Sequence, residues 1–396
     1  MNRLILAAGL ATAIVVAVTG GSFGGEQTAP AAPKPAATAP QTGAGGTSLS
    51  DIGAPKRIEI AFVLDTTGSM SGLIDGAKRR IWGIADAVRK LHPDAEIRIG
   101  LVGYRDRGDL YVTDATDLSA DIGAIYGKLL EYRAQGGGDW PESVNEALSV
   151  AVGKLGWTAG TDTRRLIFLV GDAPPHMDYE QDVPFSDTLK IAEGKGIVVD
   201  ALQCGKAADT ELAWKTISQL GHGRYAQIPQ EGGVVQISTP WDEQILKIQI
   251  ELNHTIIPYG SIHRQSEVKA KAAMAAAAPA PAASDMASYN VRAGSAAERA
   301  KVVTGEGDLV ADAIAGKVDA DKLDRSQLPE EYRKLSTADL KAEIEKQRAA
   351  RGRLQSSLGE LVLKRDAAVA AKRAEMPAGT DGFDAVVEEM ITSQVK

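Results

Sequence analysis

An α/β fold, with a doubly wound and mostly parallel sheet covered by helices on both faces, is predicted from three features of the sequence. Between Arg57 and about Gly260, apolar runs of strand length alternate with segments of helical period, the signature of strand–helix–strand units. Most of the Trp, Phe and Tyr residues, which are only 5% of the chain, also lie between Phe62 and Tyr259, so this stretch has the material for a large core. Three of its loops, finally, place acids and glycines where a strand ends or a helix begins, as α/β domains do at the carboxyl edge of their sheets.

The first strand is Ile58 to Leu64. The helix after it sets Ile74, Ala77, Ile81, Ile84, Val88 and Leu91 on one stripe by steps of three and four, a core-facing pattern. A second strand runs through Ile97, Ile99, Leu101 and Val102, and a short third is expected at Leu110 to Val112. A helix beginning near Pro141 carries Val144, Ala147, Leu148, Ala151, Val152 and Leu155, and strands follow at Leu166 to Val170 and Ile197 to Leu202. The helix from about Asp209 has an acidic start and ends at Leu220 with Gly221 as its stop. A last helix starts at Thr239 and Pro240, with Asp242 in its first turn.

The flanks differ in composition. Arg3 precedes an uncharged apolar run from Leu4 to Val18, so residues 1–25 read as a signal peptide or an N-terminal membrane anchor, and the protein as exported: periplasmic, secreted or membrane-tethered. Residues 26–55 are rich in Pro, Ala and Gly and read as a tether. The folded domain is expected over 56–260, an Ala/Pro-rich second linker over 261–300, and a charged helical or weakly coiled-coil region over 301–396. In that last region Ser336 and Asp339 resemble a capping box, and Leu340, Ile344, Leu354, Leu358 and Leu361 form a stripe that Gln347 and Arg351 interrupt.

With 44 basic and 52 acidic residues the net charge is −8, which supplies no basic field for a phosphate backbone and argues against nucleic acid as a partner. Cys204 is the sole cysteine, so neither an intramolecular disulfide nor a cysteine metal cluster can form within one chain.

The chemistry gathers at three loops. Asp65-Thr66-Thr67-Gly68-Ser69-Met70 ends the first strand, Gly136-Gly137-Gly138-Asp139-Trp140-Pro141-Glu142 precedes a helix, and Gly171-Asp172-Ala173-Pro174-Pro175-His176 ends a later strand. A carboxylate and two hydroxyls at alternate positions of one tight loop can converge on a point with the hard oxygen ligands that Mg²⁺ prefers. Asp65, Thr67, Ser69, Asp139 and Asp172 are therefore the candidate metal ligands.

At these residues the stretch from about Arg57 to Tyr259, half the chain, resembles a von Willebrand factor type A domain. Asp65-x-Thr67-x-Ser69 is similar to the family's metal-ion-dependent adhesion motif, and Asp172 to its strand-end aspartate. The resemblance implies a bound Mg²⁺, Mn²⁺ or Ca²⁺ touched directly by the hydroxyls, and a protein partner whose acidic side chain completes the metal shell. Asp139 stands where many members place a threonine, and a third acid is expected to hold the cation more tightly while making it less attractive to a partner carboxylate.

The alternative to a metal bridge is a cation that only rigidifies the loops, with the C-terminal helices binding the partner. A metal-assisted hydrolase lacks a visible base, and neither a second Asp-Thr-Gly copy nor a Gly-x-Ser-x-Gly elbow is present; the expectation is a binding protein, not an enzyme. His176 reads as a turn histidine after Pro174-Pro175, the alternative being that it lines the rim of the site; Arg107-Gly108-Asp109 reads as a loop, and Asn253-His254-Thr255 as a silent glycosylation pattern near a helix end.

Overall fold

The computed structural model describes residues 54–294, 298–299, 304–376 and 382–395. The expected export segment, and all but the end of the tether after it, lie outside the described residues.

The sheet contains β1 (Arg57–Asp65), β2 (Glu96–Tyr104), β3 (Thr113–Ser119), β4 (Thr163–Gly171), β5 (Ile197–Cys204) and β6 (His222–Ile228). Their spatial order is β3-β2-β1-β4-β5-β6. All neighbours are parallel except β2 and β3. The chain builds outward from β1 on one side through β2 and β3, then returns to add β4, β5 and β6 on the other. The carboxyl ends of β1 and β4 therefore flank the switch in winding direction, the place where such sheets receive ligands.

Each central strand feeds two cores. Along β1, Ile58, Ile60, Phe62 and Leu64 enter one cluster while Ala61 and Val63 enter the other, the alternation that a strand's two-residue period imposes. The second cluster is closed by α3 (Val144–Gly153), α4 (Phe185–Gly194) and α5 (Ala208–Leu220). The first is closed by α1 (Ser71–Leu91) and α2 (Ile122–Glu131) together with two helices from far downstream. Of the stripe predicted on α1, Leu91 is half exposed and the rest is buried.

Two differences at the sheet edges have a common cause. Leu110 to Val112 is not a strand; the third strand lies just after it, with the sequence Thr-Asp-Ala-Thr-Asp-Leu-Ser, of which only Leu118 is buried. On the opposite edge β6 likewise buries only Ile228. An edge strand needs little apolar sequence, so an apolar run does not mark it.

The stretch 261–300, expected to be a linker, is a correction. It forms α7 (Ile262–Ala277), whose first turn is capped by Ser261, and α8 (Ala280–Arg292), which opens with proline in its first turn. Alanine is the strongest helix former, and proline is tolerated in a first turn where no amide partner is lost. The small side chains of α8 then let it lie close against α1: a Cβ added at Gly83 would sit 2.9 Å from the Asp285 carboxylate. Met286 and Tyr289 enter the first core, with Tyr289 5.8 Å from the Trp82 ring.

The C-terminal region belongs to the same compact unit as the sheet. It comprises α9 (Leu309–Ile314), the short α10 (Glu330–Arg333), the long α11 (Thr337–Ala374) and α12 (Phe383–Gln394), and it follows α6 (Asp242–His254). Ser336 caps α11 by accepting from the Asp339 amide at 3.1 Å. The break that Arg351 makes in the apolar stripe is an ion pair: Arg351 is buried, 2.7 Å from Asp308, and also donates to Thr255. Two heptads on, Arg365 joins Asp242 at 2.9 Å and Asp285 at 2.7 Å, while Arg80 of α1 joins Asp285 at 2.7 Å and Asp384 at 2.8 Å. The inner face of α11 is thus spent on α6, α8 and α9. Beyond it, α12 returns to the sheet, where Phe383 packs 6.0 Å from Phe62, itself stacked 5.6 Å from Phe168.

Candidate metal centre

The β1 strand delivers Asp65 wholly buried at the carboxyl edge. Its Oδ1 accepts from the Thr67 amide at 2.8 Å and from Thr67 Oγ1 at 2.7 Å, and Thr67 Oγ1 stands 3.4 Å from Ser69 Oγ. The Asp-x-Thr-x-Ser spacing has therefore folded as its chemistry requires, an Asx turn that stacks one carboxylate and two hydroxyls. Neighbouring backbone pins the turn: Gly68 N donates to Gly136 O at 3.1 Å, Gln135 N donates to Thr66 O at 3.1 Å, and Thr66 Oγ1 donates to Tyr104 O at 2.8 Å. Gly136 has φ +81° and approaches the Asp109 carboxylate so closely that a side chain would collide with it, so glycine is required there.

From β4, Gly171 lets the strand ends close up, since a Cβ there would strike Tyr104 Oη and lie 3.1 Å from Asp65 Oδ2. Asp172 follows, buried, with Oδ2 accepting from Gln230 Nε2 at 2.6 Å and its backbone oxygen accepting from Thr210 Oγ1 at 3.0 Å. Asp65 Oδ2 makes no hydrogen bond. Burial raises the Asp65 carboxyl to about 7; the Thr67 hydrogen bonds oppose that rise and the nearby Asp172 charge adds to it.

The structure brings in a residue that sequence reasoning passed over. Glu142 is buried, and its Oε2 has no hydrogen-bond partner. A Cβ at Gly137 would lie 3.1 Å both from Glu142 Oε1 and from Thr67 Cβ, which puts this carboxylate beside the Thr67 turn. Burial first, then the charges of Asp65, Asp106, Asp109 and Asp172, raise Glu142 to about 9. Asp139, the acid expected from this loop, has a side chain that is 61% exposed, with its Oδ2 3.6 Å from His176 Nε2. The path of the loop explains the burial of Glu142. Glu142 forms a parallel bridge with Pro175, its amide donating to Pro174 O and its carbonyl accepting from His176 N, both at 3.0 Å, so the third acid is presented at 142. The signal in the sequence was its position, immediately before the residue that precedes α3.

Cys204, at the end of β5, is buried, and desolvation followed by the Asp172 and Asp65 charges raises its thiol well above the ordinary range, as expected of an inert thiol. His176 is not a simple rim residue; it is buried and forms a second cluster with Asp106 and Asp139.

A doubly wound sheet whose first strand ends in an oxygen-rich turn at the switch point defines an α/β domain that carries its site on loops. The sequence profile of the von Willebrand factor A domain matches residues 59–239; the chain contains a von Willebrand factor A domain. Among curated proteins, alpha-protein kinase vwkA of Dictyostelium discoideum is 26% identical over 153 residues, 38% of this chain and 24% of the kinase. The chain thus spans about a quarter of the length of that relative. Among solved structures, similarity extends to the VWA domain of SpRpn10, at 13% identity over 44% of this chain and 89% of that one, with a TM-score of 0.34. The pilus adhesin SpaC of Lactobacillus rhamnosus GG is similar at 16% identity over 43% of this chain and 28% of the adhesin, with a TM-score of 0.33.

Proposed function

We propose that this protein is a divalent-cation-dependent protein-interaction module that acts by binding and not by catalysis. The observation that carries the reading is the pair of buried carboxylate oxygens, Asp65 Oδ2 and Glu142 Oε2, that find no donor beside the Thr67 turn. Buried anionic oxygens without donors are costly, and a cation offsets that cost. The donor set is all oxygen, which suits Mg²⁺ or Mn²⁺. Asp65, Thr67, Ser69 and Asp172 would hold the ion, with Glu142 taking the role expected of Asp139. Because Glu142 adds negative charge, cation binding is tight and the attraction left for a partner's carboxylate is weakened.

A protein partner is supported by the apolar side chains exposed on the loops of this edge, among them Leu110, Trp140 and Met177. Exposed apolar groups around a polar centre are a common feature of interaction surfaces. The proposal includes export, on the basis of Arg3 and the apolar run Leu4 to Val18. Among the described residues, no helix is long and apolar enough to cross a membrane.

Calorimetric titration of Mg²⁺ or Mn²⁺ tests the site. Asp65→Ala and Asp172→Ala are expected to lose measurable affinity at this centre while remaining folded, and unchanged affinity in both would refute it. Partner capture by the full chain, with and without chelator, tests the bridge. Capture that chelator does not diminish would count against a metal-mediated contact.

A further inference from the structure

We propose that Asp106, Asp139 and His176 form a second cation site, built from ligands other than those of the Asp65 centre and suited to a transition metal of the zinc type. One ligand atom from each of the three lies within 4.8 Å of the others. The observation that points beyond an acidic cluster is the histidine. Its side chain is 6% exposed, and its buried Nε2 makes no hydrogen bond although it faces two carboxylates, Asp106 Oδ2 at 3.5 Å and Asp139 Oδ2 at 3.6 Å.

Those separations leave room for a metal ion between the ligand atoms. An imidazolium bonded to a carboxylate closes to about 2.7–2.9 Å. Zinc at its usual distances from nitrogen and oxygen, in tetrahedral geometry, keeps the two ligand atoms about 3.4 Å apart. The observed spacings match the second case.

The other ring nitrogen is arranged as a metal-bound histidine requires. Nδ1 lies 2.8 Å from Asp178 Oδ1; an ionised carboxylate only accepts, so Nδ1 is the donor in that contact and Nε2 is the nitrogen that faces the two aspartates and could offer a lone pair to a metal. This is the carboxylate–histidine pairing that orients metal ligands and raises their basicity. Asp106 is oriented in the same way, receiving Ser143 Oγ at 2.9 Å and Tyr179 Oη at 2.8 Å. The nearby Arg107 does not neutralise the cluster, because it is paired with Asp182. Backbone bonds on both sides of His176, its amide to Glu142 O at 3.0 Å and its carbonyl from Asn145 Nδ2 at 2.7 Å, hold the ring in place. One imidazole and two carboxylates favour Zn²⁺, Co²⁺ or Mn²⁺ over Ca²⁺. With Asp139 on the solvent side, the remaining coordination positions are open to water or an exogenous ligand.

The test uses the full chain with the metal alone. Equilibrium dialysis against Zn²⁺ should retain one equivalent that survives Asp65→Ala and falls at least tenfold in affinity in His176→Gln. Asp139→Asn, at an exposed position that leaves packing untouched, should weaken the same equivalent about tenfold, so a fold defect in the histidine variant does not decide the outcome. With Mn²⁺ as probe, pulsed electron paramagnetic resonance should show modulation from an imidazole nitrogen in Asp65→Ala and none in His176→Gln, a signal that the all-oxygen Asp65 centre cannot produce. Zinc stoichiometry and affinity indifferent to both the 139 and 176 substitutions, with no nitrogen modulation, would overturn the proposal and leave His176 as a protonated partner of its aspartates.

Discussion

At the scale of single residues, Glu142 has the sharpest consequence. Its carboxyl, buried against Asp65 and Asp172, is raised to about 9, so in the absence of a cation it is held in a state that the unfolded chain does not share. A glutamine keeps the shape and removes the charge. Glu142→Gln is therefore expected to lower Mg²⁺ affinity about tenfold while raising the melting midpoint of the cation-free protein by several degrees, the stabilisation vanishing in saturating Mg²⁺. Titration calorimetry and scanning calorimetry in chelator check both halves; unaltered affinity would put Glu142 outside the ion's reach. Asp65, Thr67, Ser69 and Asp172 were legible in the sequence because each sits in or next to an apolar strand whose end fixes its place. The burial of Glu142 and the exposure of Asp139 were not, because both are acids on one glycine-rich loop and the pairing of Glu142 with Pro175 is made by a segment about 30 residues away.

At the scale of elements, one carboxylate ties two strands and a helix. Asp200 on β5 is wholly buried; its Oδ1 accepts from the Arg224 amide at 2.8 Å and from Gln394 Nε2 of α12 at 2.7 Å, while Oδ2 has no partner. Burial raises this acid to about 6, against the opposing Arg224 and Gln394 bonds. Between about pH 4 and 6 the folded chain retains a proton that the unfolded chain has released, so stability associated with this group is fully present below about pH 4 and is lost as pH rises through about 6. In Asp200→Asn that loss disappears. The stability difference, variant minus wild type, should grow by about 2–3 kcal/mol between pH 4 and 6.5 and then level off, as urea denaturation at a series of pH values will show. A difference independent of pH would rule out Asp200 as the titrating group. The elements that sequence patterning finds are the interior ones: β1, β2, β4, β5, α1 and α3 are marked by apolar periodicity because both sheet faces are buried, and α5 by its acidic start and glycine stop. The edge strands β3 and β6 are not, and α7 and α8 resemble a linker because alanine marks a helix only when there is a surface for it to pack on.

At the scale of the whole molecule, the sheet and the C-terminal helices are one packing problem. The matched von Willebrand factor A segment stops at residue 239, yet the core on one face of its sheet includes Met286 and Tyr289 of α8 and Phe383, Val387, Met390 and Ile391 of α12. Phe383→Ala should therefore cost about 3–5 kcal/mol of stability, measured by chemical denaturation. A fragment ending at residue 239 should bind hydrophobic dyes and aggregate; if it melts cooperatively like the full chain, α8 and α12 are accessories and not core. The charged character of α11, which resembles an interrupted coiled coil in sequence, is explained at this scale too, since Arg351 and Arg365 meet acids of this same chain.

The position of α12 also sets a timetable for the growing chain. The last strand ends at Ile228 and α12 begins at Phe383, so at ribosomal speeds of about 5–20 residues per second the apolar face around Phe62 waits on the order of ten to thirty seconds for its cover. During that interval the part of this face that α1, α2 and α8 leave for α12 lacks its native partner, the kind of apolar surface that chaperones bind. Synthesis interrupted before α12 leaves the Phe62 end of that face uncovered, so loss of this one distal helix would be read by proteolytic surveillance as failure of the domain.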